Sequence, residues 1–248
     1  MQPQQLVNAK RQKKASYKTV YHTKTGKIVS LASPQIPDVS VGNEGQADYA
    51  MGTSNEPYNQ LVSWEGYPYY YDLYLINVET GRKKLLKSKI RGYTNMSPDA
   101  NYIYWYERTD SSWMVYNIKS AQLHNLTANV DNIFYNEKND QPDYPRSYGI
   151  TGWTKGDKQI LINDRYDIWS FDPNNKKAAK RLTNGRSQKI RFEYLRLDRE
   201  KRFIEPKETL LLEAFNEVNF QAGFYHFSLK DKAPQQLLMA DYMFRSVD

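Results

Sequence analysis

Residues 71–86 read YDLYLIN-VETG-RKKLL: an apolar and aromatic run, a polar tetrapeptide that ends in glycine, and a second short run with two leucines. Aromatic and β-branched residues favour strands because they pack well on a pleated, half-buried surface. Two such runs joined by a tight polar turn are the sequence form of a β-hairpin. The stretch therefore predicts a hairpin whose turn is centred near Gly81.

Four other stretches repeat this pattern along the chain. They are TVYHTKTGKIV (19–29), WMVYNIKSAQLHNLT (113–127), YDIWSFDPNNKKAAKRLT (166–183) and FYHFSLKDKAPQQLL (224–238). The five turns are centred near residues 26, 81, 121, 176 and 232, about 40 to 56 residues apart. Four-stranded propeller blades repeat at about 40–50 residues, and loop insertions lengthen the interval. The spacing favours one hairpin per blade.

A second pattern precedes three of the hairpins, in which a turn opens a strongly apolar run. The turns are Ser97–Asn101, Trp153–Lys158 and Glu205–Glu208. Proline fixes φ, and Asp and Gly readily adopt turn conformations. These residue types explain why Ser97–Asn101 and Trp153–Lys158 are predicted as turns. The fold class predicted is all-β: about five four-stranded antiparallel blades over residues 17–248, part of a seven- or eight-bladed propeller, preceded by a basic flexible arm at residues 1–16.

Composition and charge exclude several classes of function. The chain of 248 residues is 40% hydrophobic and 25% charged, which is typical of a globular domain. It has no Cys and three His, so a disulfide scaffold, a thiol nucleophile and a His-rich metal site are not expected, and neither is a cofactor. The net charge of +7 comes from seven Lys and Arg residues between Lys10 and Lys27, because 35 − 7 leaves 28 basic against 28 acidic residues. A nucleic-acid partner is therefore not expected, and the basic arm is read as a solvated terminus.

No membrane segment is predicted, since no run of about 18 apolar residues occurs. Gln2–Leu6 is polar and lacks the apolar core of a signal peptide. This leaves the compartment open, because the chain could be a mature or excised piece of an exported protein.

The ordered motifs resemble the propeller repeats of the prolyl oligopeptidase family of serine peptidases, in particular its bacterial dipeptidyl-peptidase-like branch. The resemblance is carried by Ser97-Pro98-Asp99-Ala100 before an aromatic strand and by Tyr166-Asp167-Ile168-Trp169 before a turn and Arg181-Leu182-Thr183. It extends from about residue 17 to the end. In that family a propeller of seven or eight blades caps a C-terminal α/β-hydrolase domain and restricts which peptides reach it. The resemblance also implies a periplasmic or secreted location.

The sequence departs from that family at the catalytic residues. No Ser lies in the Gly-x-Ser-x-Gly pattern of the nucleophile elbow, and the alternating strand–helix pattern of a hydrolase sheet is missing. No catalytic residue is therefore assigned. We expect a peptidase cap without its enzyme, whose partners are a peptide substrate and a hydrolase domain. A partial propeller exposes sheet edges. The flanks are then covered by more of the native chain or by another copy in a homo-oligomer.

Residues 64–71, WEGYPYYY, combine five aromatic residues with one carboxylate. One interpretation is a loop on the central cavity, in which Glu65 pairs with a cationic peptide terminus and aromatic side chains contact the substrate. The substrate-contact residues predicted on this basis are Trp64, Glu65, Tyr67 and Tyr69. The alternative is a loop that packs between blades and carries a solvated Glu65.

Two other groups of residues give weaker indications of a functional site than residues 64–71 do. Residues 136–143, NEKNDQPD, are rich in oxygen ligands but do not match the calcium-loop pattern, so a polar insertion is favoured. Ser147, Asp143 and either His124 or His226 have the composition of a catalytic triad, but nothing in their spacing supports one.

The leading functional hypothesis is a non-catalytic propeller that gates and orients peptides for a serine peptidase. The alternatives are a stand-alone periplasmic or surface propeller that binds a protein partner, and one that binds or acts on carbohydrate. The last would need a pair of suitably spaced carboxylates lining one cavity.

Overall fold

The computed structural model describes residues 9, 13–66, 69–242 and 244, in two compact units that cover residues 1–90 and 91–248. The first unit contains two antiparallel sheets. The first sheet pairs β1 (Thr19–His22) with β2 (Lys27–Ser30), and the second has the order β3 (Asp38–Val41), β4 (Tyr49–Ser54), β5 (Tyr70–Asn77) and β6 (Lys83–Arg91). The loop between β4 and β5 holds a single helical turn, α1 (Val62–Glu65).

The second unit contains three four-stranded antiparallel sheets, each built from four strands in chain order. The third sheet comprises β7 (Thr94–Met96), β8 (Tyr102–Glu107), β9 (Ser112–Asn117) and β10 (Gln122–Asn125). The fourth comprises β11 (Ile150–Trp153), β12 (Ile160–Asn163), β13 (Ile168–Phe171) and β14 (Lys180–Arg181). The short helix α2 (Gly185–Gln188) then leads to the fifth, which comprises β15 (Ile190–Tyr194), β16 (Leu210–Asn216), β17 (Ala222–Phe227) and β18 (Gln235–Ala240).

These sheets confirm the predicted fold class, an all-β partial propeller. Every predicted hairpin is present, and in each four-stranded sheet the hairpin joins the third strand to the fourth. Among the described residues the first sheet has only the two strands of its hairpin. The expected basic arm falls mostly outside the described residues. No helix in the described ranges is long and apolar enough to cross a membrane.

The fourth sheet is buried on both faces, as a blade must be. Ile160 and Ile162 of β12 face an aromatic cluster of the third sheet, whereas Leu161 between them packs with residues of the fifth sheet. Successive residues of a strand point to opposite faces. The run Ile-Leu-Ile therefore joins three sheets into one packed unit, which explains why β12 has no polar residue at its centre.

Two Leu-Thr pairs close the third and fourth sheets in the same way. The backbone N–H of Leu126 donates to the carbonyl of Trp113, and that of Leu182 donates to the carbonyl of Ile168, both at 2.8 Å. The hydroxyl of Thr127 accepts the backbone N–H of Trp113, and the hydroxyl of Thr183 accepts that of Ile168, both at 3.0 Å. The repeated Leu-Thr motif thus ties the end of one blade to the start of its third strand.

The turns that open the apolar strands also hold neighbouring sheets together. The carboxylate of Asp157, only 1% exposed, accepts the hydroxyl of Ser97 at 2.6 Å and the side-chain amide of Asn101 at 3.0 Å. It also accepts the backbone N–H groups of Asp99 and Asn101, both at 3.2 Å. One carboxylate from the fourth sheet therefore satisfies most donors of a turn in the third.

Candidate functional site

Charged residues concentrate in the turns that join the second strand to the third in each sheet of the second unit. These turns are residues 108–111, 164–167 and 217–221. They carry Arg108, Asp164, Arg165, Asp167 and Glu217. Equivalent turns lie at the same end of stacked blades, so the repeat architecture brings these charges to one end of the unit, which we call the charged end.

Two buried aspartates shape this end and are fully engaged. Asp164 accepts the backbone N–H groups of Tyr166 and Asp167, both at 2.7 Å, and the indole N–H of Trp169 at 2.9 Å. Asp167 accepts the hydroxyl of Thr183 at 2.7 Å and the N–H of Gly185 at 2.5 Å. Buried carboxylates with this many donors serve structure, because they satisfy the backbone of the turn and of α2.

Glu217 links the fourth and fifth sheets. Its carboxylate accepts two bonds from Arg165, at 2.6 and 3.3 Å, and the hydroxyl of Tyr166 at 2.8 Å. Burial by itself raises the pKa of Glu217, but the hydrogen bonds from Arg165 and Tyr166 outweigh it, so the pKa lies below its ordinary value. Glu217 is therefore ionised at neutral pH and compensates the arginines around it.

The ring of Tyr166 is the centre of a cation–π cluster. The guanidinium carbons of Arg165 and Arg186 and the ammonium of Lys189 lie 5.2, 5.0 and 5.4 Å from its centroid. Arg186 also pairs with Glu137 at 2.8 Å. Cations within about 6 Å of an aromatic face are attracted by its quadrupole. Three cations therefore lie around one aromatic ring at the charged end.

A cavity of about 240 Å³ opens beside this cluster and contains two unpaired carboxylates. Glu193 on β15 and Glu213 on β16 line it and are direct partners in the antiparallel register. Both side chains are exposed, and in the part of the chain that is described neither forms a hydrogen bond or an ion pair. Like charges directly opposite each other destabilise a sheet. The pair therefore presents two negative charges to the cavity.

The cavity also presents basic and aromatic groups. Arg165 and Arg191 line it, but both contact Glu217; the Nε of Arg191 lies 3.7 Å from a Glu217 oxygen. The guanidinium of Arg191 lies 5.1 Å from the ring centroid of Phe215, another lining residue. Arg165 and Arg191 carry two positive charges, and Glu193, Glu213 and Glu217 carry three negative ones, so this group of side chains has a formal net charge of −1.

The structure describes only some of the predicted substrate-contact residues. Trp64 lies in α1 and is 86% exposed, and Tyr69 is an exposed residue directly before β5. Tyr67 and the side chain of Glu65 lie outside the described residues. Tyr58, in the same loop, donates its hydroxyl to Asp72 at 2.6 Å; burial, followed by this hydrogen bond, raises the pKa of Tyr58 to about 12. The role of the loop remains a prediction.

Among the described residues, no hydrogen bond joins the members of the imagined triad. His226 on β17 contacts the side-chain oxygen of Gln235 at 2.8 Å, whereas His124 lies on β10 opposite Val115 and its Nε2 is buried without a hydrogen-bond partner. Ser147 bridges to Tyr135, and Asp143 pairs with two arginines. No three His, Asp or Glu side chains within the described ranges are grouped so that they could hold a metal ion.

Sequence reasoning missed Glu193 and Glu213. One signal was available, since Glu213 interrupts the apolar run Leu210–Phe215 at the centre of a strand. The decisive fact is the pairing of Glu213 with Glu193, which depends on the register of β15 against β16. Twenty residues separate the two, so no local pattern predicts that register.

No protein-family model matches this chain, and the search of curated proteins gave no match. Among solved structures, Porphyromonas gingivalis dipeptidyl peptidase 4 is similar at 13% identity and a TM-score of 0.50, over 91% of this chain and 38% of that one. The β-propeller domain of the Pyrococcus furiosus trilobed protease is similar at 9% identity and a TM-score of 0.45, over 88% of this chain and 62% of that one. TolB from Acinetobacter baumannii is similar at 12% identity and a TM-score of 0.36, over 90% of this chain and 51% of that one. The chain thus spans less than two thirds of each, and the likeness shows the fold alone.

Proposed function

We propose that this chain is the non-catalytic propeller of a prolyl-oligopeptidase-like serine peptidase, and that it gates and orients peptides for a C-terminal α/β-hydrolase domain. Two findings support the proposal. The repeat motifs that resemble this family recur in order along the chain and occupy equivalent positions in successive sheets. The fold is similar to that of a protein named as a dipeptidyl peptidase.

The observation that carries the binding role is the unpaired Glu193–Glu213 couple in its cavity. The amino terminus of a peptide is an ammonium group, and the resemblance implies that propeller carboxylates can hold a substrate amine. Two carboxylates on a rigid sheet would hold such a group at a fixed position, which orients the peptide that follows it. Exposed Trp64 and Tyr69 are proposed as further peptide contacts.

Replacing both glutamates by glutamine is expected to abolish recognition of a free amino terminus. The measurement is calorimetric titration with two pentapeptides of one sequence, both amidated at the carboxyl end, of which one has a free α-amine and the other is N-acetylated. Wild-type protein should bind the free-amine peptide several-fold tighter, because each exposed ion pair contributes about 0.2–1 kcal/mol and two carboxylates act on one ammonium group. Glu193→Gln/Glu213→Gln should bind both peptides equally weakly.

The matched control is Glu200→Gln, which removes one exposed carboxylate of the same unit and should leave both affinities unchanged. Each single glutamine variant should also be more stable by about 0.2–1 kcal/mol, since it relieves the like-charge pair. Equal wild-type affinity for the two peptides, or an equal loss in the control, would refute amine recognition at this cavity.

A further inference from the structure

We propose that Arg91 and Arg108 form a second binding site, which takes a carboxylate of a peptide and which the chain's own Asp143 occupies in this structure. The site uses other residues than the Glu193–Glu213 cavity and a ligand group of opposite charge. It does not depend on the proposed peptidase role.

Two buried guanidinium groups converge on one carboxylate. A terminal nitrogen of Arg91 lies 3.1 Å from one oxygen of Asp143, and a terminal nitrogen of Arg108 lies 3.0 Å from the other. The arginine side chains are 5% and 8% exposed, whereas that of Asp143 is 31% exposed. Desolvated cations are costly unless paired, and the planar guanidinium suits a carboxylate. The arginines therefore form a built receptor, and Asp143 is the part that lies toward solvent.

The receptor belongs to the sheets, and its occupant belongs to a loop. Arg91 ends β6 and Arg108 directly follows β8, and the backbone N–H of Arg108 donates to the carbonyl of Arg91 at 3.1 Å. This bond holds the two arginines side by side. Asp143 comes from residues 136–146, an excursion closed at its base by the N–H of Asn136, which donates to the carbonyl of Arg146 at 2.7 Å.

The tip of this excursion, residues 139–144, is organised so that it could leave and return. The base stays held by the ion pair of Glu137 with Arg186 and by the hydroxyl of Tyr106, which donates to the carbonyl of Pro145 at 3.4 Å. The amide of Asn139 donates to the carbonyls of Gln141 and Asp143, both at 3.0 Å, so the tip keeps its shape through its own contacts. Beyond Asp143, the loop meets the arginines at Tyr144, whose carbonyl accepts from Arg108 and whose ring lies 5.5 Å from the guanidinium of Arg91. Asp143 and Tyr144, which are consecutive residues, therefore both contact the two arginines.

Exchange of one carboxylate for another leaves no buried cation unpaired. A peptide carboxylate that enters as Asp143 leaves would receive the same two arginines, so the exchange avoids the penalty of opening the pair alone. The entering carboxylate must compete with Asp143. Because Asp143 is tethered to the same chain, it acts at an effective concentration of the order of millimolar. Wild-type affinity for a carboxylate should therefore be weak, and removal of the Asp143 charge should strengthen it.

The test uses Asp143→Asn and three N-acetylated pentapeptides: one with a free terminal carboxylate, its carboxamide twin, and a carboxamide with one internal Asp. Acetylation keeps them from the Glu193–Glu213 cavity. In calorimetric titrations at fixed ionic strength, the variant should bind at least one carboxylate peptide about tenfold or more tighter than wild type does, and the fully uncharged twin no better. The stronger of the two carboxylate peptides identifies the source, terminus or side chain.

Two controls separate binding from loop damage. Asp140→Asn removes an exposed charge from the same loop and should behave as wild type. Asp143→Asn/Arg108→Gln should lose the gained affinity. Equal binding of all three peptides by Asp143→Asn, or none, would show that Asp143 is only a structural ion-pair partner.

A wild-type measurement covers the case in which Asp143→Asn does not fold. Excess carboxylate peptide should speed hydrogen exchange of the amides of residues 139–144, because it displaces Asp143, while the uncharged twin should not. Unchanged exchange at a saturating carboxylate concentration would overturn the proposal.

Discussion

Asp157→Ala is expected to lower the free energy of unfolding of the second unit by about 3–5 kcal/mol. The carboxylate accepts the Ser97 hydroxyl, the Asn101 side-chain amide and two backbone N–H groups, and it is almost completely buried. Alanine would leave these donors without their acceptor in a site closed to water. Asp157 also has a φ of 52°, which alanine tolerates less well than aspartate.

The measurement is urea unfolding followed by tryptophan fluorescence, with the midpoint and slope fitted together. Asp157→Asn keeps the shape and one acceptor oxygen, so it should lose clearly less than the alanine variant. Asp99→Ala removes a carboxylate of the same turn that lies 3.8 Å from a terminal nitrogen of Arg202, a long ion pair, and this variant should lose less than about 1 kcal/mol. A loss below about 1 kcal/mol for Asp157→Ala would contradict its role in joining the third and fourth sheets.

Gly185→Ala is expected to cost at least about 3 kcal/mol or to prevent folding of the fifth sheet onto the fourth. A Cβ at this position would lie 2.0 Å from the carbonyl oxygen of Ile190 and 3.0 Å from that of Tyr166. Both are backbone atoms, so no side chain can rotate away to relieve the clash. The N–H of Gly185 also donates to Asp167, so a shift of the backbone would break that bond.

Thermal unfolding monitored by circular dichroism tests this variant. Ser187→Ala, an exposed change in the same short helix, is the control and should shift the midpoint by no more than a few degrees. A Gly185→Ala protein with the wild-type midpoint would show that α2 does not approach β15 as closely as described.

The third and fourth strands of each blade, and in the second unit also the apolar second strands β8, β12 and β16, could be predicted from sequence, whereas the first strands could not. The third and fourth strands are joined by short turns and form visible hairpins, such as β5 with β6 around Gly81. The first strands lack such a signal. β7 has three residues, and β11 contains Gly152 and a shift in register against β12. Their positions come from packing against neighbouring strands, which local propensity does not encode.

Motifs predicted as turns proved to have specific partners that sequence could not reveal. Ser97–Asn101 and Trp153–Lys158 were each recognisable as a turn, but their junction through Asp157 joins residues about 60 positions apart. The same holds for the candidate site, because Glu193 and Glu213 become a pair only through strand register. The local structure of single turns could be predicted from sequence, but groups of residues that meet only in the folded chain could not.

The most direct test of the central claim is labelling with a fluorophosphonate serine probe, applied to this 29.2-kDa chain and to the native gene product, with intact masses recorded for both. The account predicts that a heavier native species is labelled and that this chain is not, since the role proposed for it is to bind and orient peptides. Labelling of this chain would contradict the account, because it would require a nucleophilic serine among residues assigned to blades and turns. A native species of about the mass of this chain that also remains unlabelled would contradict the peptidase role and favour a stand-alone binding propeller.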